Sequence, residues 1–170
     1  TIRYFDIDGC GVPEIFPNTP GMPQTFYKLV VDGEGKGTGR FEKYVIGEGP
    51  SGHGMGFGDI NGNGRTDIIL ANGWLEQPEN PFHTPWTFHP EFELGSASVP
   101  ILAHDVTGNG LNDLIVGQAH GYGLDWYEQR IGDNGERSWI KHEIDPTASQ
   151  YHDLWLADLD GDGEVELFTG

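Results

Sequence analysis

The sequence predicts an all-β fold built from repeated units. A nine-residue pattern recurs four times, with an acidic residue at position one, oxygen-bearing side chains at positions three and nine, and glycine at positions four and six. Short apolar runs typical of buried strands follow copies two, three and four. No window shows a sustained helical period of apolar residues, and 27 glycines and 11 prolines leave little room for long helices.

The four copies, numbered loops 1 to 4, have the composition of a cage for a hard cation such as calcium. Calcium binds roughly six to eight oxygens, which alternate side chains of a tight loop can supply together with a backbone carbonyl and water. Position seven varies in chemistry, so we expect it to contribute only its carbonyl. The predicted metal ligands are Asp6, Asp8, Val12 and Glu14 in loop 1; Asp59, Asn61, Asn63, Arg65 and Asp67 in loop 2; Asp105, Thr107, Asn109, Leu111 and Asp113 in loop 3; and Asp158, Asp160, Asp162, Glu164 and Glu166 in loop 4.

The four loops are not expected to bind calcium equally well. Loop 4 carries the most charge and should bind most tightly. Loop 1 has Cys10 at position five, and a thiol is a poor ligand for a hard cation, so we expect the weakest binding of the four possible ions there. The alternative is that the loops are metal-free Asp/Asn/Gly turns. Four copies in register favour the metal.

The segments between the loops predict the rest of the unit. In each of the first three units, an aromatic strand follows the second strand, and an outer strand follows the aromatic strand. Sixteen residues before the next loop, these outer segments contain Lys43, His89 and His142. Four strands in about 50 residues is the size of one propeller blade. We therefore predict a β-propeller of four-stranded antiparallel blades, with each loop joining the first and second strands.

The loop spacing also predicts the blade boundaries. The first residues of the loops lie 53, 46 and 53 positions apart. The whole chain, 1–170, is then a partial propeller with units at about 1–49, 50–97, 98–147 and 148–170. A propeller must close on itself, so these three and a third blades are expected to belong to a longer chain or to be completed by other copies.

Composition limits the partners and the compartment. The net charge is −18 and no basic stripe exists, which argues against a nucleic-acid partner. No apolar run approaches the length of a membrane span. The single cysteine excludes an internal disulfide framework. Calcium loops of this design fill where calcium is abundant, so we expect a secreted, extracellular or periplasmic location.

Several segments resemble a known repeat family. Residues 57–67 and 156–163, with the aromatic strand at 126–128, resemble the FG-GAP/VCBS repeats, which are similar to the integrin α-chain head. The resemblance implies a propeller, typically seven-bladed, with calcium between the first two strands of a blade. Residues 51–59 and 149–152 resemble secreted bacterial proteins of this family. A more distant likeness is to the propeller of aldos-2-ulose dehydratase, a lyase acting on keto-sugars.

Two histidines occupy equivalent positions in the repeat. His53 and His152 each stand six residues before their loop aspartate, next to a first strand that would border the central channel. There they could hold a transition metal or act as catalytic acid and base on a sugar. Hydrogen bonding to neighbouring blades is the alternative. His120, Tyr122 and Trp126 form a second candidate set, a platform for stacking sugars.

Two functions therefore stay open. The first is a calcium-binding extracellular propeller that serves as a binding, adhesion or assembly module for glycans, surface proteins or copies of itself. The second is a carbohydrate lyase or dehydratase with a histidine-lined metal site in the channel. The sequence contains no Gly-x-Ser-x-Gly elbow and no phosphate-cradling loop, so nothing in it requires an enzyme.

Overall fold

The computed structural model describes residues 2–47 and 52–170, and within them the regular structure is entirely β. The predicted boundary at residues 49 and 50, and Ser51 of the family-like segment 51–59, lie outside the described residues. The strands are β1 (Ile2–Phe5), β2 (Glu14–Pro17), β3 (Gln24–Val31), β4 (Gly37–Gly47), β5 (Met55–Gly58), β6 (Asp67–Leu70), β7 (Gly73–Glu76), β8 (Thr87–His89), β9 (Ile101–His104), β10 (Asp113–Gly117), β11 (Tyr122–Ile131), β12 (Arg137–Ser149), β13 (Leu154–Ala157) and β14 (Glu166–Thr169).

The strands are connected as the repeat predicts. Strands β1 to β4 form an antiparallel sheet in chain order, and so do β5 to β8 and β9 to β12. Strands β13 and β14 pair as the start of a fourth unit. Each acidic loop joins the first and second strands of its unit. The predicted fold class is confirmed: the chain is a partial β-propeller, with three blades and the first two strands of a fourth.

The first strands of the second and third blades pair in parallel, which joins the two blades into one curled eight-stranded sheet. Gly56 lies opposite Ile101 in this pairing. A side chain at Gly56 would overlap the backbone oxygen of Ile101, and one at Gly58 would overlap the side chain of Ala103. Glycine at these two positions therefore allows β5 and β9 to approach closely.

The hydrophobic core lies between the blades. One cluster joins the first two blades through Phe16, Phe26 and Leu75. A second joins blades two and three through Trp74 and Leu114 and other buried side chains. Strands β6 and β10 are buried along their whole length, so both of their faces contact core. This explains why their sequences are continuous apolar runs and do not alternate.

The register of the outer strands differs from the sequence prediction in the first blade. His89 and His142 lie opposite Trp74 and Trp126, whereas the residue opposite Phe26 is Tyr44 and not Lys43. The path from β4 to loop 2 is one residue shorter than the corresponding paths in the next two blades. Counting sixteen residues back from loop 2 therefore reaches Lys43, one residue before the true equivalent of His89 and His142. Strand β12 also continues to Ser149, two residues past the expected boundary at 147.

Candidate functional site

All four acidic loops have the same hydrogen-bonded conformation. In each, one carboxylate oxygen of the position-one aspartate accepts the backbone N–H of the glycine at position six. That glycine, and the one at position four, has a positive φ, which glycine adopts at little cost. The nitrogen-to-oxygen distances are 2.7 Å for Gly11 and Asp6, 2.7 Å for Gly64 and Asp59, 2.8 Å for Gly110 and Asp105, and 3.0 Å for Gly163 and Asp158.

The acid at position nine ties the loop to itself and to the blade. Its carboxylate accepts the backbone N–H of position two in every loop, at 2.9–3.0 Å from Ile7, Ile60, Val106 and Leu159. In loops 2 and 3 the second oxygen accepts a further backbone N–H. Gln77, directly after β7, donates to Asp67 at 2.9 Å, and Gln129 of β11 donates to Asp113 at 2.7 Å. Sequence reasoning assigned position nine only a metal-binding role, although the recurring Glu–Gln pairs at 76–77 and 128–129 were a signal of this contact.

Burial changes the acidity of the position-nine carboxylates. Asp67 and Asp113 are fully buried. Burial raises the pKa of Asp67 to about 6, against the lowering effect of the hydrogen bonds from Gln77 and Ile60. Burial also raises the pKa of Asp113. A cation bound in either loop would favour the ionised form.

The donor groups of loop 4 suit a hard cation. Asp158, Asp160 and Asp162 are exposed, and their carboxylate oxygens lie within 4.8 Å of one another. In the described residues none of the three forms an ion pair with a basic side chain. Loops 2 and 3 combine a position-one aspartate with the amide or hydroxyl oxygens of Asn61, Asn63, Thr107 and Asn109. These oxygen sets match the ligand preference of calcium.

The position-seven residues do not turn their side chains into the loops in any recurring way. The Arg65 guanidinium donates from Nε to the backbone oxygen of Gln77 at 2.8 Å, so it points toward the third strand. Val12, Leu111 and Glu164 share no side-chain contact of this kind. This variety fits a position that offers a ligand only through its carbonyl.

Loop 1 contains a cation supplied by the chain itself. Lys28 Nζ lies 2.6 Å from Asp8 Oδ2, 2.7 Å from Glu14 Oε1 and 3.4 Å from Cys10 Sγ. Burial opposes ionisation of Asp8, but the hydrogen bonds from Lys28 and Cys10 outweigh it and lower the pKa of that carboxyl. The same carboxylates raise the pKa of Lys28, although burial acts against them. The ammonium group therefore lies among the side chains at positions three, five and nine of loop 1.

Sequence reasoning missed Lys28, although a signal was present. In the aligned aromatic strands, Tyr27, Leu75 and Tyr127 lie opposite the residue after position nine. The next residue is Glu76 in the second blade and Glu128 in the third, but Lys28 in the first. In loop 2, Glu76 accepts a hydrogen bond from Asn61 Nδ2 at 3.0 Å, which shows that this position reaches the loop.

Three exposed histidines from different units meet at a second site. His53 Nε2 and His120 Nε2 are 3.3 Å apart, with ring centroids at 4.6 Å. The rings of His120 and His152 lie with centroids 5.3 Å apart. His120, which sequence reasoning had placed in a different set, thus contacts both predicted catalytic candidates, His53 and His152. These three side chains are named the histidine cluster.

Buried polar side chains hold the turns that carry the cluster. Asn18, only 3% exposed, donates from Nδ2 to the oxygen of Gly54 at 3.1 Å and accepts the N–H of Gly52 at 3.0 Å. These two contacts clamp the turn around His53. On the other side, the Tyr151 N–H contacts the Gln118 oxygen at 3.3 Å, and the Tyr151 hydroxyl donates to Asp145 Oδ2 at 2.9 Å. Tyr151 therefore joins the segment of His152 to the turn of His120.

The three residues predicted as a sugar-stacking platform do not come together. His120 belongs to the histidine cluster, and Tyr122 is 74% exposed at the start of β11. Trp126 is half-buried, and its ring stacks on His142 with centroids 4.2 Å apart. The pairing of β11 with β12 is irregular between Tyr122 and Asp125, and Trp126 lies beyond this irregularity along β11.

The other recurring histidines pair with carboxylates. His89 Nε2 lies 3.0 Å from Glu76 Oε2, and His142 Nε2 lies 2.9 Å from Glu128 Oε2. Both rings also stack on a tryptophan of the neighbouring strand. Their contacts are explained by blade packing. The histidine cluster differs, since none of its rings contacts a carboxylate within the described part of the chain.

Comparison with protein families addresses the repeat directly. Residues 105–169, from loop 3 to the end of β14, match the family described as FG-GAP-like repeat. This segment is an FG-GAP-like repeat. The match begins at the first residue of loop 3 and includes loop 4, so two of the four acidic loops fall within it. The FG-GAP interpretation of the sequence is thereby confirmed.

None of the curated proteins matches the chain, and the likeness to aldos-2-ulose dehydratase is not confirmed. Across residues 2–47 and 52–170, no helix has the length and apolar character needed to cross a membrane. The FG-GAP-like repeat supports a propeller-type module but does not identify its ligand.

Proposed function

We propose that this chain is a calcium-stabilised propeller module that binds or assembles with other molecules outside the cell or in the periplasm. The observation that carries the proposal is the group of three exposed carboxylates in loop 4, whose oxygens lie within 4.8 Å of one another with no basic partner in the described residues. Two like charges about 4 Å apart repel by about 1 kcal/mol even in bulk water. A divalent cation would remove this repulsion.

Calcium would bind to loops 2, 3 and 4 and would bind weakly or not at all to loop 1. Within the described residues, the oxygen donors of loops 2, 3 and 4 form no ion pair with a basic side chain, whereas Lys28 already pairs with Asp8 and Glu14 in loop 1. The oxygens at positions three and five would complete each set with the position-seven carbonyl and water. Binding in these loops would join the first and second strands of each blade and so stabilise the fold.

The first strands offer a surface for a glycan or protein partner. A groove of about 480 Å³ is lined by Arg3, Tyr4 and Trp155 together with residues of β5 and β9. Tyr4 is 68% exposed and Trp155 is 65% exposed. Exposed aromatic faces beside a guanidinium are suited to stack on sugars and to hydrogen bond with their hydroxyls. Copies of the same chain are a further class of partner.

Metal analysis and chelation test the calcium proposal. Protein purified without chelator should contain calcium, and calorimetric titration of metal-free protein should show three sites. Adding a chelator should lower the melting temperature, because calcium binds the folded state only. Absence of calcium together with a melting temperature unchanged by chelator would rule the proposal out.

Glycan binding has a separate test. Tyr4→Ala and Trp155→Ala should each weaken binding on a glycan array, whereas Tyr122→Ala, an equally exposed tyrosine away from the groove, should not. Equal binding by all three variants would exclude the groove as the glycan site.

A second candidate function, a carbohydrate lyase or dehydratase, is favoured by one specific observation. The two Nε2 atoms of His53 and His120 lie 3.3 Å apart, at an exposed site, so one ring can donate a proton to the other. Such a pair can remove and return a proton on a sugar. Turnover of keto-sugars or uronates that is lost in His53→Ala and His152→Ala would support this function, and no turnover by the intact full-length protein would exclude it.

A further inference from the structure

The histidine cluster lies at the opposite end of the strands from the acidic loops. His53 precedes β5, whereas loop 2 follows that strand. Loop 3 precedes β10, whereas His120 follows it. A four-residue strand is roughly 13 Å long, at about 3.3 Å per residue. The cluster is therefore separate from the loops, and any ligand there would not share their carboxylates.

The spacing of the nitrogens matches that of two ligands on one metal. Zinc binds histidine nitrogen at about 2.0–2.1 Å with tetrahedral geometry, which places two ligand nitrogens about 3.3–3.4 Å apart. His53 Nε2 and His120 Nε2 are 3.3 Å apart. The rings are also nearly perpendicular, at 84°, so the two nitrogens approach each other without stacking of the rings.

We propose that His53, His120 and His152 form a binding site for a divalent transition metal of the zinc class. Neutral imidazole nitrogens are preferred ligands for zinc, nickel, copper and cobalt, whereas calcium prefers oxygen. The site is independent of the calcium proposal because none of its ligands belongs to a loop. Three histidines leave a fourth position for water or for a substrate atom.

The protein holds the ligand-bearing turns in place before metal binds. Asn18 clamps the turn of His53, and Tyr151 joins the segment of His152 to the turn of His120. His152 Nε2 contacts Gln150 Oε1 at 3.2 Å, so this ring would have to turn away from Gln150 to join a metal held by His53 and His120. All three side chains are exposed, which gives the metal direct access from solvent. A metal bound here would cross-link the second, third and fourth units.

Titration with zinc and cobalt tests the site. The full chain is kept in excess calcium so that the loops are saturated, and zinc binding is measured by calorimetry while bound Co²⁺ is followed by its visible absorption. We expect one zinc per chain and a tetrahedral cobalt spectrum. His53→Ala, His120→Ala and His152→Ala should each weaken zinc binding at least about tenfold, since even loss of a residue that only orients a ligand costs about 10–100-fold.

Two matched controls make the result specific. His83→Ala removes an exposed histidine outside the cluster and should leave zinc affinity unchanged. Asp160→Asn weakens loop 4 and should also leave it unchanged. Wild-type affinity in any one of the three cluster variants would overturn the three-ligand site, as would zinc binding that is lost in Asp160→Asn. Melting temperatures in chelator, expected to be equal for all variants, show that each one folds.

Discussion

Lys28 Nζ lies 2.6 Å from Asp8 Oδ2, so a side chain of the aromatic strand places an ammonium group in the first acidic loop. The neighbouring Glu14 carboxylate is fully buried, and its other oxygen accepts the N–H of Ile7. The blade thus keeps the loop conformation of its neighbours with an internal ammonium group. The equivalent residues in the next two blades, Glu76 and Glu128, carry the opposite charge. Lys28 and Cys10 at position five therefore both distinguish the first loop from loops 2 and 3.

Replacing Lys28 should convert loop 1 into a calcium site. In Lys28→Ala the carboxylates of Asp8 and Glu14 lose their cation, so we expect one additional calcium per chain in a calorimetric titration. Without calcium the variant should be about 1–3 kcal/mol less stable in urea unfolding, because hydrogen bonds to charged groups are lost. Lys43→Ala, at an exposed position of β4, should change neither quantity. An unchanged calcium count in Lys28→Ala would show that loop 1 is unsuited to calcium for another reason.

Neutralising Asp160 should separate the roles of the residues in loop 4. Asp160→Asn should lower the melting temperature in calcium but not in chelator, where removal of one like charge from the cluster is neutral or slightly stabilising. Glu164→Gln changes position seven of the same loop and should have little effect, since that residue is expected to bind through its carbonyl. An equal fall in melting temperature in the two variants would contradict the assignment of Asp160 as a side-chain ligand and Glu164 as a carbonyl ligand.

The position-nine acids should stabilise the fold even without metal. Asp67→Ala leaves the buried N–H groups of Ile60 and Gln77 without acceptors. Each such loss costs about 1–3 kcal/mol, so we expect the two to destabilise the fold by about 2–6 kcal/mol in chelator, measured by urea unfolding. Asp133→Ala, at the exposed hairpin tip, should stay within about 0.5 kcal/mol of wild type. A small effect of Asp67→Ala in chelator would mean that the acid acts only through the metal.

Asp145 should make stability depend on pH in the acid range. Hydrogen bonds from the Thr147 side chain, the Thr147 N–H and the Tyr151 hydroxyl lower the pKa of Asp145 to about 2. Because the folded-state pKa lies below the unfolded value of about 3.9, this stabilisation is present above that value and is lost as pH falls toward 2.

The difference between wild type and Asp145→Asn isolates this effect from the other acids. Wild type should be more stable at neutral pH. The difference between the two free energies of unfolding, measured in urea, should shrink between about pH 4 and pH 2. Glu136→Gln, at an exposed hairpin position, should show no such convergence. A constant difference across this range would show that Asp145 does not titrate as its contacts indicate.

Asn18 should matter for both stability and the histidine cluster. Asn18→Ala leaves the buried oxygen of Gly54 and the half-buried N–H of Gly52 without their partner, so we expect a loss of about 1–3 kcal/mol. Because the turn of His53 loses its clamp, zinc affinity should also fall. Asn80→Ala, in an exposed turn, should leave zinc affinity unchanged. Full zinc affinity in a folded Asn18→Ala protein would show that the turn holds its shape without the clamp.

The repeat made the fold predictable from sequence to a large extent. The loop spacing, the apolar runs and the aromatic segments predicted four-stranded blades, and the observed order of β1 to β14 agrees. The outer-strand register in the first blade was wrong by one residue, at Tyr44, because spacing along the chain cannot detect a connection shortened by one residue. The parallel pairing of β5 with β9 was not foreseen, since it depends on how neighbouring blades pack.

The sequence by itself determined the four loops, because their conformation depends on hydrogen bonds between residues four to seven positions apart. The spacing of the loops also determined the length of a blade. Only the tertiary structure decided that Lys28 enters the loop of Asp8, twenty residues away, and that His120 meets His53 across 67 residues. Local patterns specify a turn and its hydrogen bonds. Which side chains from separate turns meet depends on the packing of one blade against the next.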